Sequence, residues 1–159
     1  MKSIEIKVQI HVFDVEELSE SDRQLVERAK AMTQTSYSPY SEFRVGAALQ
    51  LADGRVFAGS NQENAAYPVG SCAERTAFFY AQASAPDVAP VAIAIAAFTN
   101  GRYLEKPVSP CGMCRQALLE AETRYGTPIR VLLYGSNGVY VAQSMRDLLP
   151  LTFDGSEMA

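Results

Sequence analysis

The stretch Asn61-Gln-Glu-Asn-Ala-Ala-Tyr-Pro-Val-Gly-Ser-Cys-Ala-Glu74 ends on the residues around which the chain is organised. Up to Ser71 it is too polar and irregular for a strand or a helix. From Cys72 to Ala83 it takes on the composition of a buried helix, with Ala73, Ala77, Phe78, Phe79, Tyr80 and Ala81 apolar on most sides. The other cysteines, Cys111 and Cys114, stand in Pro-Cys-Gly-Met-Cys at the head of a second helical pattern that runs to about Tyr125. All three thiols therefore sit at helix starts, and Glu74 follows one of them by two residues.

A Cys-x-x-Cys pair alone also serves redox dithiols and structural zinc knuckles. A redox pair requires neither Cys72 nor Glu74, and a structural zinc site normally closes with four protein ligands. No fourth cysteine exists, and the single histidine, His11, fits a strand pattern. Three thiolates leave one position open for water, the catalytic arrangement. Cys111 and Cys114, three apart, share a helix face. Cys72 and Glu74, two apart, border a common point only at a helix start viewed end-on. The expectation is one Zn2+ per chain at the tips of two helices, held by Cys72, Cys111 and Cys114, with Glu74 as proton carrier. Zinc with three thiolates carries a net charge of −1, and two helix N-termini together offset that by roughly one unit. They also favour the thiolate form. Arg75 adds positive charge beside Glu74.

Outward from these helices the chain alternates elements. Val91 to Phe98 is short and apolar throughout, the pattern of a strand covered on both faces. Phe43 to Leu51 and Arg55 to Gly59 read as strands joined through Ala52-Asp-Gly54. Gly46, Ala47 and Ala48 suggest a close layer over the first of them. Ile129 to Tyr134 and Val139 to Ala142 add two more strands, with a short helix at Ser144 to Leu149. Nearer the start, a helix is expected over residues 21 to 35, opened by a Ser21/Gln24 capping box. Ile4, Ile6, Val8, Ile10 and Val12 alternate with polar residues, which predicts a half-buried strand over residues 3 to 12. The fold class expected is α/β: a mixed five-stranded sheet between helical layers, plus the extra N-terminal strand, in a single domain over residues 1 to 159.

Composition excludes several classes. The chain has 159 residues, 48% hydrophobic and 20% charged, as in an ordinary globular domain. Its net charge of −4 argues against a nucleic-acid binder, and no run of Lys or Arg forms a polybasic membrane patch. Met1 to Phe13 lacks the continuous apolar core of a signal peptide, and the longest apolar run, Ala89 to Phe98, is too short to span a bilayer. An odd number of cysteines without an export signal fits reduced thiols in a cytoplasm.

Four ordered blocks now combine: Phe43-Arg-Val-Gly-Ala-Ala48, Asn61-Gln-Glu-Asn-Ala-Ala-Tyr67, Cys72-Ala-Glu-Arg-Thr-Ala77 and Pro110-Cys-Gly-Met-Cys-Arg-Gln116. Together they resemble the cytidine deaminase family, of the small homotetrameric kind, over about residues 21 to 153. Three cysteines as zinc ligands and a carboxylate outside the ligand set are a general description of zinc deaminases. The resemblance implies hydrolysis of cytidine and 2′-deoxycytidine to the uridines and ammonia, a pyrimidine salvage reaction in the cytoplasm. It implies that Glu74 takes a proton from the activated water, passes it to the ring N3 and later delivers one to the departing amine. It also implies that Asn61 and Glu63 bind the ribose hydroxyls and that Phe43 packs on the base. Ala65 and Tyr67 would reach the sugar bound by a neighbouring subunit. Phe153, in Leu148-Leu-Pro-Leu-Thr-Phe153, would enter an adjacent protomer's pocket, so that active sites are shared in a homotetramer. Blasticidin deaminase shares the Cys-Ala-Glu and Pro-Cys-Gly-x-Cys motifs but lacks the ribose block. A zinc-stabilised interaction module without catalysis would have no use for Glu74.

Overall fold

The computed structural model describes residues 1–158. Among these residues seven strands form one mixed sheet. The strands are β1 (His11–Phe13), β2 (Arg44–Leu51), β3 (Val56–Ser60), β4 (Pro90–Thr99), β5 (Arg102–Tyr103), β6 (Arg130–Gly135) and β7 (Gly138–Ala142). Three helices, α1 (Glu20–Met32), α2 (Ala73–Ser84) and α3 (Gly112–Tyr125), cover its faces. The strand order is β1-β7-β6-β4-β2-β3, with β5 hairpinned onto β4. The β4–β6 pair is parallel and the others antiparallel. The five longer strands are the expected mixed sheet; β1 and the two-residue β5 extend it.

Strand β4 shows how the layers are made. Ile93 and Ile95 point into the core shared with α2 and α3, while Ala92, Ala94 and Ala96 point to α1. Burying each isoleucine contributes about 1.5–3 kcal/mol. The alanines let α1 approach closely, and Gly46 on β2 completes that surface. A Cβ there would lie 2.1 Å from the carbonyl oxygen of Ala29. Gly59 plays the same part on the other face, where a Cβ would lie 2.7 Å from the backbone nitrogen of Ala77 in α2.

Helix boundaries follow their caps. Ser19, not Ser21, caps α1, accepting the backbone N–H of Asp22 at 3.1 Å. The helix gives way to a 3-10 turn over Thr33–Thr35. Buried Asp22 then receives both guanidinium nitrogens of Arg130, at 2.6 and 3.0 Å, tying α1 to β6. Helix α3 ends at Gly126 in the left-handed conformation, φ 61°. The short helix near the C-terminus is 3-10, Met145–Leu148.

Two expectations need correction. The N-terminal alternation spans residues 3 to 12, but pairing is confined to His11–Phe13. The register His11↔Val141 shows why: β7 ends at Ala142, so the arm runs past the end of its partner strand. Helix α2 is not buried all round. Phe79 and Tyr80 are exposed, because β2 and β3 cover only the face carrying Ala73, Ala77, Phe78 and Ala81.

Candidate metal centre and active site

Both helix starts expected to hold thiols do so. Cys72 is the N-cap of α2 and Cys111 the N-cap of α3, each with extended backbone. Neither thiol caps its own helix by a hydrogen bond, so both sulfurs remain available to a common centre. Cys114 lies one turn into α3 and is fully buried. The Cys72 and Cys111 sulfurs are 3.9 Å apart, those of Cys111 and Cys114 3.4 Å, and all three lie within 4.8 Å of one another. A tetrahedral ion bound at ~2.3 Å from each sulfur requires sulfur separations of roughly 3.8 Å. The donor set therefore fits zinc in both chemistry and spacing.

The electrostatics agree. The Cys72 thiol is lowered to about 5, first by the hydrogen bond from Cys114 and further by Arg75 and Cys111, while Cys114 is pushed upward as the donor in that exchange and by burial. The Arg75 guanidinium comes within 3.9 Å of the Cys72 sulfur. Its buried Nε has no hydrogen-bond partner among the described residues, which leaves a cationic donor beside a centre that accumulates negative charge. Glu74 is 5% exposed, in the first turn of α2. Burial raises its pKa, and the negative charge of Cys72 raises it further. Both effects favour the protonated carboxyl over the carboxylate, the form from which a proton can be donated.

Phe43, Asn61, Cys72, Glu74 and Cys111 line a cavity of about 200 Å³ between β2 and the two helix tips. A larger cleft of about 540 Å³ opens beside it, bordered by Glu63, Tyr67, Arg75 and Met113, with Asn61 and Cys72 common to both. The sequence blocks thus converge on one mouth. Ala65 is exposed and borders neither space. Phe153 is 59% exposed and also stands outside both; Gln116 Nε2 holds its carbonyl at 2.9 Å.

Asn61 and Glu63 are braced as well as placed. The Asn61 amide donates to the Phe43 carbonyl at 2.9 Å, and its oxygen accepts from Val45 N–H at 2.7 Å and Ser36 Oγ at 2.5 Å. Both lone pairs are used, and one amide hydrogen remains for a ligand. Glu63 accepts from the backbone N–H groups of Tyr40, at 2.9 Å, and Ser41, at 3.3 Å, and from the Ser41 hydroxyl. That hydroxyl above all lowers the Glu63 pKa, keeping it a carboxylate. Tyr67 is highly exposed, its ring edge-on to Tyr40 with centroids 6.1 Å apart.

Two supporting residues escape sequence reasoning. Ser41 reads as ordinary loop, with no periodic signal to single it out. Arg115 reads as an outer-face helix residue, yet it donates to Pro110 O at 2.8 Å, Leu148 O at 2.6 Å and Ser109 Oγ at 2.9 Å. It clamps the thiol-bearing loop to the segment that leads to Phe153. A charge directly after Cys-Gly-Met-Cys was the one available hint.

Comparison with known proteins matches this geometry. Residues 19–126 fit the model of the "Cytidine and deoxycytidylate deaminase zinc-binding region". The chain is 42% identical over 142 residues to a cytidine deaminase of Halalkalibacterium halodurans, covering 86% of this chain and 98% of that protein. It is also similar to the crystal structure of a cytidine deaminase from Burkholderia pseudomallei, with 42% identity, a TM-score of 0.69, and 86% and 100% of the two chains covered. The cytidine deaminase from Mycobacterium leprae aligns at 34% identity and a TM-score of 0.63 over 83% and 98%. The three-thiol centre, the buried Glu74 and these likenesses agree, and the chain belongs to the cytidine and deoxycytidylate deaminase zinc-binding family.

Proposed function

We propose that this chain hydrolyses cytidine and 2′-deoxycytidine to uridine and 2′-deoxyuridine, releasing ammonia, as a cytoplasmic enzyme of pyrimidine salvage formed from one domain. The single observation that carries the reading is Glu74, buried beside three convergent thiols and lining the same cavity as Phe43. Cys72, Cys111 and Cys114 hold the zinc ion, which supplies, when bound, a Lewis acid that makes water nucleophilic near neutral pH.

The remaining work falls to side chains. Glu74 accepts a proton from water and delivers it to N3 of the pyrimidine as the water oxygen bonds to C4; it then takes the proton of the new C4 hydroxyl and passes it to the amine, so that the C4–N bond breaks, C4 becomes a carbonyl and ammonia leaves. Burial raises its pKa, which favours the protonated form that donates to N3 and to the amine. Phe43 packs on the base and confines it against the helix tips. The free amide hydrogen of Asn61 and the carboxylate of Glu63 bind the ribose hydroxyls. Zinc with three thiolates is anionic, and the N-termini of α2 and α3 together with Arg75 offset that charge.

The same proposal includes assembly as a homotetramer with shared sites. Ala65 and Tyr67 reach a neighbour's bound sugar, and Phe153 enters a neighbour's pocket. The exposure of Tyr67, Phe79, Tyr80 and Phe153 supports this, since such aromatic surface is stabilised by being covered. Nucleic acid and membrane are not partners in this reading; among the described residues no helix is long and apolar enough to cross a bilayer. Loss of the cytidine ultraviolet band on mixing with purified protein, compared with blasticidin and free cytosine, tests the substrate. Turnover of cytidine far above both others is expected; preferential turnover of blasticidin would replace the reading.

A further inference from the structure

The N-terminal arm carries an apolar pattern that the fold leaves unused. Ile4, Ile6, Val8 and Ile10 recur at every second residue, all are exposed, and Ile4 is 86% exposed. The arm precedes the matched family region, which begins at residue 19. It continues β1 past the end of β7, so its backbone has no strand partner before His11 among the described residues. At its root Ile10 borders a cavity of about 220 Å³ with Leu133, Tyr140 and Leu148. The apolar face therefore grows out of the side of the sheet that carries α2 and α3.

We propose that this arm is an assembly element, pairing antiparallel with the same arm of a second copy of this chain, with Ile6 opposite the partner's Ile6. The choice follows from charge and period. In an antiparallel pair, residues directly opposite share a face. Centring the twofold on Ile6 sets Glu5 opposite the partner's Lys7, and Lys7 opposite the partner's Glu5. On the other face Ile4 meets the partner's Val8. Centring on residue 5 or 7 instead sets Glu5 or Lys7 against its own copy, which is repulsive. A register centred between residues sets apolar side chains beside polar ones. Centring on Val8 places Lys7 opposite the partner's Gln9 and forfeits both ion pairs. Within one chain Glu5 and Lys7 stand 3.9 Å apart, both at least 80% exposed, and so are free to exchange for partners across the twofold. An isolated two-stranded ribbon is only marginally stable. Here each strand is rooted in a seven-stranded sheet, and pairing also removes two open edges.

Single cysteines introduced into the full-length, zinc-loaded chain read the register directly. Ile6→Cys places two thiols opposite each other, within the span a disulfide bridges. Ile4→Cys leaves them roughly 13 Å apart along the strands, at ~3.3 Å per residue. Under mild oxidation Ile6→Cys is expected to convert to covalent dimer and Ile4→Cys to remain at the level of the unsubstituted chain. Equal cross-linking, or more from Ile4→Cys, overturns the register. A second test uses charge. Glu5→Lys and Lys7→Glu each repel their own copies in this arrangement but complement each other. Differently tagged and mixed, they are expected to associate together in clear excess over either alone; random association would contradict arm pairing. Zinc per chain confirms that every variant is folded, independently of activity.

Discussion

The side-chain amide of Asn61 donates to the carbonyl of Phe43 at 2.9 Å, so the residue proposed to bind sugar also fixes the strand start that carries the aromatic proposed to bind base. The same side chain accepts the N–H of Val45. Removing it takes this partner from two part-buried backbone groups, at a cost of up to about 1 kcal/mol each. Asn61→Ala is therefore expected to lower both thermal stability and kcat/KM. A variant with unchanged melting temperature would show that the brace contributes nothing.

Glu63 separates binding from folding more cleanly, because its partners lie in one exposed loop. Glu63→Ala is expected to raise KM for cytidine strongly and to leave residual activity on free cytosine nearly unchanged, since a site built for a hydroxyl discriminates only where the hydroxyl is present. Steady-state kinetics on the two substrates checks this. Equal losses on both would make Glu63 a loop-folding residue.

How far the sequence anticipated the structure depends on the range of the interactions. The thiol positions at two helix tips were legible because caps and i, i+3 spacing are local. The Ile and Ala alternation of β4 marks a strand covered on both faces for the same reason. Glu122 was not legible. Its spacing in α3 suggests a polar outer face, yet it is buried and accepts the N–H groups of Ile129 and Met145, both at 2.7 Å, and the Ser144 hydroxyl. Those partners come from later chain, and nothing near Glu122 announces them. The N-terminal arm fails differently: its period is correct, but its extent depended on where β7 stops.

Glu122→Ala strips two buried N–H groups of their acceptor, and urea unfolding should show a loss of about 1–3 kcal/mol or more. Zinc content should stay at one per chain, because the centre lies at the opposite end of α3. An unchanged midpoint would contradict the proposed bridge.

For the metal, Cys111→Ser should lower both zinc content and stability together, because binding free energy contributes to folding when ligands converge from separate helices. Metal analysis and thermal melting provide the check. Full zinc occupancy in a variant lacking all three thiols would refute the centre.

Shared sites predict complementation. Phe153→Ala and Glu74→Gln are each expected to be poorly active alone. Refolded together, they should regain activity well above their sum, because some pockets then combine an intact Glu74 with an intact Phe153 from a neighbour. Strictly additive activity, with hybrid formation verified, would confine each site to one chain.

The role proposed for Glu74 is to move protons for cytidine hydrolysis beside a three-thiolate zinc centre. It is tested most directly by following the cytidine ultraviolet band with unsubstituted protein and Glu74→Gln at matched zinc content. A positioned carboxylate contributes ~10²–10⁴-fold to such a reaction. The Gln variant is expected to keep its zinc and still bind a cytidine analogue while turnover falls by about 10²-fold or more; near-normal turnover with zinc intact would make Glu74 a structural residue.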